Sequence, residues 1–453
     1  MTVVVVVGMV VVVDMVVDVL VVATSRDVVD AGSGADVDTP PIEVEHATAN
    51  RAITASSHVD RIRQRLRTQK IYMPYSGQET RAKTQSVTTI RNGRLAIDGE
   101  LVPADLHVTD GIIARQSDDG EGIDATGLIV SPGFIDLQIN GGFGYDFTRD
   151  PTTIWEVGSR LPQFGVTSFL PTIVTSPREV TELALQVVAD GPPHDYTGAD
   201  VLGLHFEGPW IFPDKHGAHN PLHIVEPDPA VARQWAESGL VRVVTLAPEI
   251  PGADEVGRIL AASAVVISVG HSNASFEIAR KYLSTTATLV THLFNQMSPL
   301  THREPGVVGA SLLSEHPAGL IVDGIHIIDG ALELAWRLLG RDRTILVTDA
   351  MAALGLGPGT YQLGDASVTV GADGPRTMDG RLGGSTLTLP QAVANLTATT
   401  GAGTAEAILG ATANPARVLG LADRGHLRPG GRADLVFLDP DLKPVTTLVA
   451  PKM

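Results

Sequence analysis

Cysteine is absent from all 453 residues, which excludes disulfides, thiolate metal sites and cysteine nucleophiles outright. Basic residues are in deficit, 33 Lys+Arg against 51 Asp+Glu, for a net charge of −18. That balance argues against a general nucleic-acid or anionic-membrane binder. An anionic ligand can still be held, but only by a local cluster of cations or backbone amides. Aromatic residues are scarce at 4%, whereas 47 Gly and 29 Pro give the composition of a turn-rich globular enzyme and not of a fibre. The length allows two or three units of roughly 150 residues. A β/α barrel of about 250 residues with a second domain fits equally well.

Residues 1–85 differ from the rest and read as a low-complexity, disordered extension. The valine-rich run Thr2–Val22 is broken by Asp14 and Asp18, and no Lys or Arg precedes Arg26. Two Asp offset most of what the valines contribute to membrane insertion, and a secretory signal begins with positive charge. Membrane association is therefore not expected. Residues 25–60 are polar and Pro/Ala-rich, as in a linker. The basic run Arg61–Arg67 reads as a solvated helix or tail.

From Val87 a regular fold begins. Val87–Ile90, Arg94–Ile97, Leu106–Thr109, Ile112–Ile113 and Leu128–Val130 are short β-type runs separated by turns such as Asn92-Gly93, and they read as a small antiparallel sheet. Eight apolar runs then alternate with helical segments: Phe134–Ile139, Ser168–Val174, Val201–Phe206, Val241–Ala247, Val265–Val269, Leu289–Thr291, Gly319–Val322 and Thr344–Thr348. Their spacing, about 30 residues, is that of a βα unit, so the expected fold is α/β, a (β/α)8 TIM barrel. Helices are expected at Thr152–Phe164, Arg178–Val188, Pro229–Ser238, Ala253–Ser263, Phe276–Leu283 and Asp329–Leu339. Beyond the eighth run, Tyr361–Val370 reads as a hairpin, and Leu389–Ala398 and Thr404–Gly410 as helices. The run Arg432–Leu438 is strand-like and suited to rejoining the early sheet. The expected division is a barrel over 132–422 and a small β-sandwich-like domain from 86–131 together with 423–453.

Polar residues fall where barrel chemistry occurs, at the C-terminal ends of the strands. Gln138 and Asn140 lie at the end of the first run, His205 and Glu207 at the third, His271 at the fifth, His292 and Asn295 at the sixth, Asp323 and His326 at the seventh, and Asp349 at the eighth. Singly, each is more often a hydrogen-bonded core or turn residue than a ligand. Together, one Glu, two His and one Asp from four strands point into one cleft. Two His and a Glu with a water in the fourth position form an open catalytic zinc arrangement, which lowers the pKa of that water to about 7.

The motifs Pro132-Gly133-Phe134-Ile135-Asp136, His205-Phe206-Glu207-Gly208-Pro209-Trp210, Gly270-His271-Ser272-Asn273-Ala274, Thr291-His292-Leu293-Phe294-Asn295 and Val347-Thr348-Asp349-Ala350-Met351 resemble those of the N-acetylglucosamine-6-phosphate deacetylase family of the amidohydrolase superfamily. The resemblance covers roughly residues 87–445. It implies hydrolysis of the acetamide of N-acetyl-D-glucosamine 6-phosphate to glucosamine 6-phosphate and acetate. It also implies a homodimer, a phosphorylated N-acetyl amino sugar as partner and a cytoplasmic setting. Glu207, His271 and His292 are implied metal ligands, Asp349 the general base and acid, and His219 the group that polarises the substrate carbonyl. Ala218, Asn295, Gln296, Asp323, His326 and the loop Leu382-Gly383-Gly384 are implied substrate contacts, although Gln296 stands where the resemblance implies a small residue. Arg303 is implied to reach the phosphate in the neighbouring subunit's site.

Many amidohydrolases carry His-x-His on the first strand and bind a second metal there. Gln138 and Asn140 are neutral amides and poor ligands, so one divalent ion per subunit is expected. Zn2+ is the chemical default, with Fe2+, Co2+ or Mn2+ able to occupy the same donors. Two alternatives carry the same residues: a deacetylase for N-acetylgalactosamine 6-phosphate or another N-acyl amine, and a non-catalytic scaffold. Intact Glu207, His271, His292 and Asp349 argue against the scaffold.

Overall fold

The computed structural model describes residues 87–116 and 121–451. The extension expected over 1–85 lies outside the described residues.

The eight apolar runs form a parallel barrel. Its strands are, in order, Phe134–Ile139, Val166–Val174, Leu204–Glu207, Val241–Leu246, Val266–Val269, Leu289–Val290, Ala318–Leu320 and Thr344–Leu346. Each pairs with the next in parallel, and a short strand, Asp200–Val201, adds to the outside of the second. Every residue of the first two strands is buried, as expected of strands covered on both faces. The seam between the eighth and first strands closes through a bridge of Ile139 with Ala350. There Asp349 N donates to Gln138 O at 2.8 Å and Asn140 N to Ala350 O at 2.7 Å. Gln138, Asn140 and Asp349 are therefore part of the closure itself.

The helices form where caps and periodicity allow. Pro229–Ser238 is as expected: the Asp228 side chain accepts from Ala230 N, Pro229 takes the first position, and Gly239 ends the helix at φ 66°. The segment expected as one helix over Thr152–Phe164 is a short helix, Ile154–Arg160, between two 3-10 turns. Pro162 lacks the N–H that would continue the helix. Two helices escaped the sequence reading, Gly306–Leu312 and Ala413–Val418. The first is buried on every side, so it carries no amphipathic period.

The early strands do not form a single antiparallel sheet. Ile112–Ala114, Leu106–Thr109, Val87–Arg91 and Glu121–Asp124 make one sheet, and Pro444–Leu448, Leu435–Leu438, Ile129–Pro132, Arg94–Ile97 and Glu100–Pro103 make another. Both are mixed, because Val87–Arg91 runs parallel to Glu121–Asp124 and Arg94–Ile97 parallel to Ile129–Pro132. Asn92-Gly93 is a corner passing the chain from one sheet to the other, not a hairpin turn. A Cβ on Gly93 would meet Val130 Cγ2 at 3.0 Å, so the corner packs directly onto the shared core of Ile90, Leu95, Val130 and Phe437. The expected return of the C-terminal run holds: Leu435–Leu438 pairs antiparallel with Ile129–Pro132. The expected hairpin spans Gly359–Leu363 and Ala366–Gly371 and gains a third strand, Gly374–Thr377, so that a three-stranded arm stands beside the cleft.

Candidate metal centre and active site

Glu207 ends the third barrel strand and is 2% exposed. Gly208 then turns the chain at φ 89°; a Cβ there would meet Thr175 Oγ1 at 2.1 Å, so only glycine fits. His271, His292 and Asp349 follow the fifth, sixth and eighth strands with φ of 49°, 24° and 47°, in the left-handed region that side chains rarely adopt. Such backbone costs about 1–3 kcal/mol per residue and persists where the surroundings over-determine it. They do so here. Phe212 N donates to His271 O, and Asp349 is held at both ends, by Gln138 O and by Ser385 N.

Three ligand atoms converge. His292 Nε2 lies 2.9 Å from Glu207 Oε1, His271 Nε2 lies 3.1 Å from the same oxygen, and the two nitrogens are 3.1 Å apart. His271 Nδ1 is 2.7 Å from Lys215 O. A carbonyl only accepts, so Nδ1 carries a ring proton, and whenever that is the only one the lone pair of Nε2 faces a carboxylate oxygen and another imidazole nitrogen. That triangle is repulsive without a positive charge inside it. The donor set of two imidazoles and a carboxylate therefore fits a divalent cation such as Zn2+.

His219 sits beside them, with Glu207, His219 and His271 offering ligand atoms within 4.8 Å of one another. Its Nε2 is 3.8 Å from Glu207 Oε2, outside the tighter triangle. Its Nδ1 lies 2.9 Å from Thr175 Oγ1 and 3.4 Å from the Thr175 backbone N–H, so Nε2 is the nitrogen left facing the cleft. With the ring proton on Nε2, that nitrogen donates into the cleft and does not ligate.

The charges are set by burial. Asp349 is pushed up to about 6 by burial and by the charge of Glu207. Burial also raises Glu207, but the His271 and His292 rings set against it outweigh that and hold the group well below the usual carboxylate range. His219 is driven well below its ordinary value by burial and by His271, so it is neutral near pH 7. Gln138 Nε2 donates to Glu207 Oε1 at 3.1 Å and to Asp349 Oδ1 at 3.2 Å; Asn140 Nδ2 donates to Asp349 Oδ1 at 2.7 Å. The two amides thus hold the acids in place.

These groups lie in a cleft of about 230 Å³ that Ala218, Asn295, Gln296, His326, Leu382 and Gly384 also line. Gly383 lies behind its wall, where a Cβ would meet Val368 Cγ2 at 3.0 Å. Asp323 stands behind His326 and accepts from its Nδ1 at 2.7 Å. Arg303 is on an exposed turn, Thr301–Glu304, and does not line the cleft of its own chain. The sequence reading missed Arg376 and Arg381, which line the cleft from the arm. His216 adjoins them: its ring is half-buried, bonds His219 O through Nδ1 at 2.8 Å and meets the Arg381 guanidinium. The Arg-rich turn around Gly380 was a visible signal, but nothing local showed that it folds over the cleft.

A barrel with this group of residues at its strand ends is the architecture of metal-dependent amide hydrolases. The chain belongs to the amidohydrolase family, whose model matches residues 129–453. Among its relatives, the N-acetylglucosamine-6-phosphate deacetylase of Bos taurus is 40% identical over 392 residues, spanning 80% of this chain and 94% of its own. The N-acetylgalactosamine-6-phosphate deacetylase of a Shewanella strain is 37% identical over 332 residues, spanning 72% of this chain and 82% of its own. The crystal structure of the N-acetylglucosamine-6-phosphate deacetylase of Pasteurella multocida superposes with a TM-score of 0.76 at 30% identity, covering 80% of this chain and 98% of that one.

Proposed function

We propose that the protein hydrolyses the acetamide of N-acetyl-D-glucosamine 6-phosphate to D-glucosamine 6-phosphate and acetate. The observation that carries this reading is the triangle of Glu207, His271 and His292 with Asp349 and His219 at the same cleft, in a chain so similar to deacetylases of this kind. One divalent cation per chain, Zn2+ by donor chemistry, is held by that triangle; Gln138 and Asn140 are committed to the acids and offer no second set of ligands. Fe2+, Co2+ and Mn2+ suit the same donors. When bound, the cation supplies an acidified water and polarises a carbonyl.

The residues do the rest. The Asp349 carboxylate takes a proton from the attacking water and returns it to the departing nitrogen, which is too basic to leave as an anion. Both amide donors use its Oδ1, which leaves Oδ2 for the proton in transit. His219 Nε2–H donates to the acetamide oxygen as negative charge grows there, the kind of stabilisation that dominates amide hydrolysis. The C–N bond breaks, one oxygen of water joins the acetyl carbon, and acetate and a free amine result.

Ala218, Asn295, Gln296, His326 and the Leu382-Gly383-Gly384 loop surround the sugar, and Asp323 fixes the His326 ring. In a homodimer, Arg303 serves the neighbouring cleft, which accounts for its distance from its own. The barrel spans 132–422, and the β-unit combines 86–131 with 423–453. Among the described residues no helix is long and apolar enough to cross a membrane. A phosphorylated sugar does not cross a bilayer unaided, which supports a cytoplasmic setting. The galactosamine epimer is the second reading, favoured by the Shewanella relative.

Acetate release from both epimers, before and after chelation, tests this. Turnover of the glucosamine epimer is expected, lost with the metal and restored by one equivalent per chain. Undiminished release from a metal-free chain would overturn the mechanism, and a marked preference for the galactosamine epimer would overturn the specificity.

A further inference from the structure

The leading electrostatic problem is a phosphate approaching a chain of net charge −18 through a cleft whose floor holds Glu207 and Asp349. Of all the residues lining that cleft, only Arg376 and Arg381 carry a permanent positive charge. Both come from the arm beside it. Arg376 lies in the strand Gly374–Thr377 and bridges to Leu382 across a turn through Gly380, whose φ is 82°. Leu382 and Gly384, next along the chain, line the same wall.

The two guanidiniums are differently committed. Arg381 Nε pairs with Asp379 at 3.1 Å, while its NH1 meets the His216 ring and Gly217 O, the latter at 3.3 Å. Gly217 packs against Gln296, where a Cβ would meet Gln296 Cγ at 3.1 Å. Arg381 is thus anchored next to the wall formed by Ala218 and Gln296, with exposed surface left over. Arg376 donates to Gly380 O at 2.8 Å, and among the described residues no carboxylate lies within 4.0 Å of it. A fork with one carbonyl partner retains several donors for an incoming oxyanion.

We propose that Arg376 and Arg381 form a cationic lip, supplied by the same chain as the metal centre, that binds the phosphate of the sugar and sets specificity for the phosphorylated substrate. The inference rests on the deacetylase reading, and it adds phosphate recognition in cis to that assigned to the partner's Arg303. Arginine fits this task because its planar fork meets phosphate oxygens in pairs. Arg381, buttressed by Asp379 and His216, presents a fixed donor; Arg376 supplies charge with no counter-ion among the described residues.

The test compares N-acetylglucosamine with and without its 6-phosphate in wild type, Arg376→Ala, Arg381→Ala and the double variant. The ratio of kcat/KM for the phosphorylated over the plain sugar is expected to fall about 10-fold or more in the double variant, chiefly through KM, as for loss of charge-assisted hydrogen bonds. Arg→Lys at both sites is expected to restore part of the ratio. An unchanged ratio, with both sugars losing equally or neither losing, overturns the proposal. Calorimetric binding of glucose 6-phosphate gives a readout independent of turnover. Binding weakened about 10-fold in the double variant supports the lip; equal binding in both proteins, or none in wild type, overturns it. If wild type binds the phosphate sugar but releases no acetate, the deacetylase reading fails while the lip stands.

Discussion

Protons occupy different places on the imidazoles of the centre, and that assignment separates their roles. His271 donates from Nδ1 to the Lys215 carbonyl and presents Nε2 to Glu207, whereas His219 turns Nδ1 to Thr175 and Nε2 to the cleft. One can ligate and the other can donate. Asp349 differs from Glu207 for a similar reason. Both are buried carboxyls, but Glu207 is flanked by imidazoles and Asp349 by the charge of Glu207 itself, so one is held low and the other raised to about 6. Asp349 works as a base only when ionised. The kcat/KM profile is therefore expected to climb as pH rises to about 6, and a bound cation moves that limb lower by favouring the ionised form. Asn140→Ala removes a donor to the carboxylate and should move the limb to higher pH; a limb that stays put would remove Asn140 from this role. Asp349→Asn is expected to retain its metal yet lose roughly 10²–10⁴-fold in kcat, as read by acetate release alongside metal content.

At the level of elements, the strand ends are tied to one another as much as to their own helices. Glu249, just past the fourth strand, accepts from Ser272 Oγ at 2.7 Å and from Asn273 N at 2.6 Å, bracing the turn that carries His271 from a neighbouring strand. Below it, His205 Nε2 meets Thr245 Oγ1 at 2.8 Å, and Thr245, Thr291 and Ser268 form a buried chain of hydroxyls across the fourth to sixth strands. Glu249→Ala should loosen the turn and weaken metal affinity by about 10-fold, the lower end for residues that orient ligands. Competition with a chelator measures this, and an unchanged affinity would show that the turn holds by itself. The strands were legible because continuous apolar runs at βα spacing have few alternatives. Gly306–Leu312 was not, since a helix buried all round has no polar face to give it a period.

Across the whole molecule, the C-terminal part of the described chain is locked to the barrel by a buried ionic cluster. Arg432 is 4% exposed and bonds Asp434 Oδ2 through Nε at 2.9 Å and Asp200 Oδ2 through NH2 at 3.0 Å. Arg424 NH1 meets the same Asp200 oxygen at 3.3 Å. Asp200 stands in the short strand added to the second barrel strand, so the cluster joins the β-unit to the barrel wall. Removing one member leaves buried positive charge undercompensated, which costs about 3 kcal/mol. Asp200→Ala is therefore expected to lower the urea midpoint of unfolding while leaving the metal content intact, whereas a midpoint unchanged from wild type would mean that Asp434 alone suffices for Arg432.

Amino-acid order alone determined the barrel, the return of Leu435–Leu438 to the early strands, and the residue types of the centre. Hydrophobic period and strand-end position are local properties, and they survive without knowledge of distant neighbours. Only the tertiary structure decided that Gln138 and Asn140 hold Glu207 and Asp349, that Asn92-Gly93 turns between two sheets, and that Arg376 and Arg381 reach the cleft. Each of these depends on which segments meet across tens to hundreds of residues. A proton's position on a ring and a carboxyl's readiness to ionise follow from those meetings, because burial and partner charge exist only once the chain has closed.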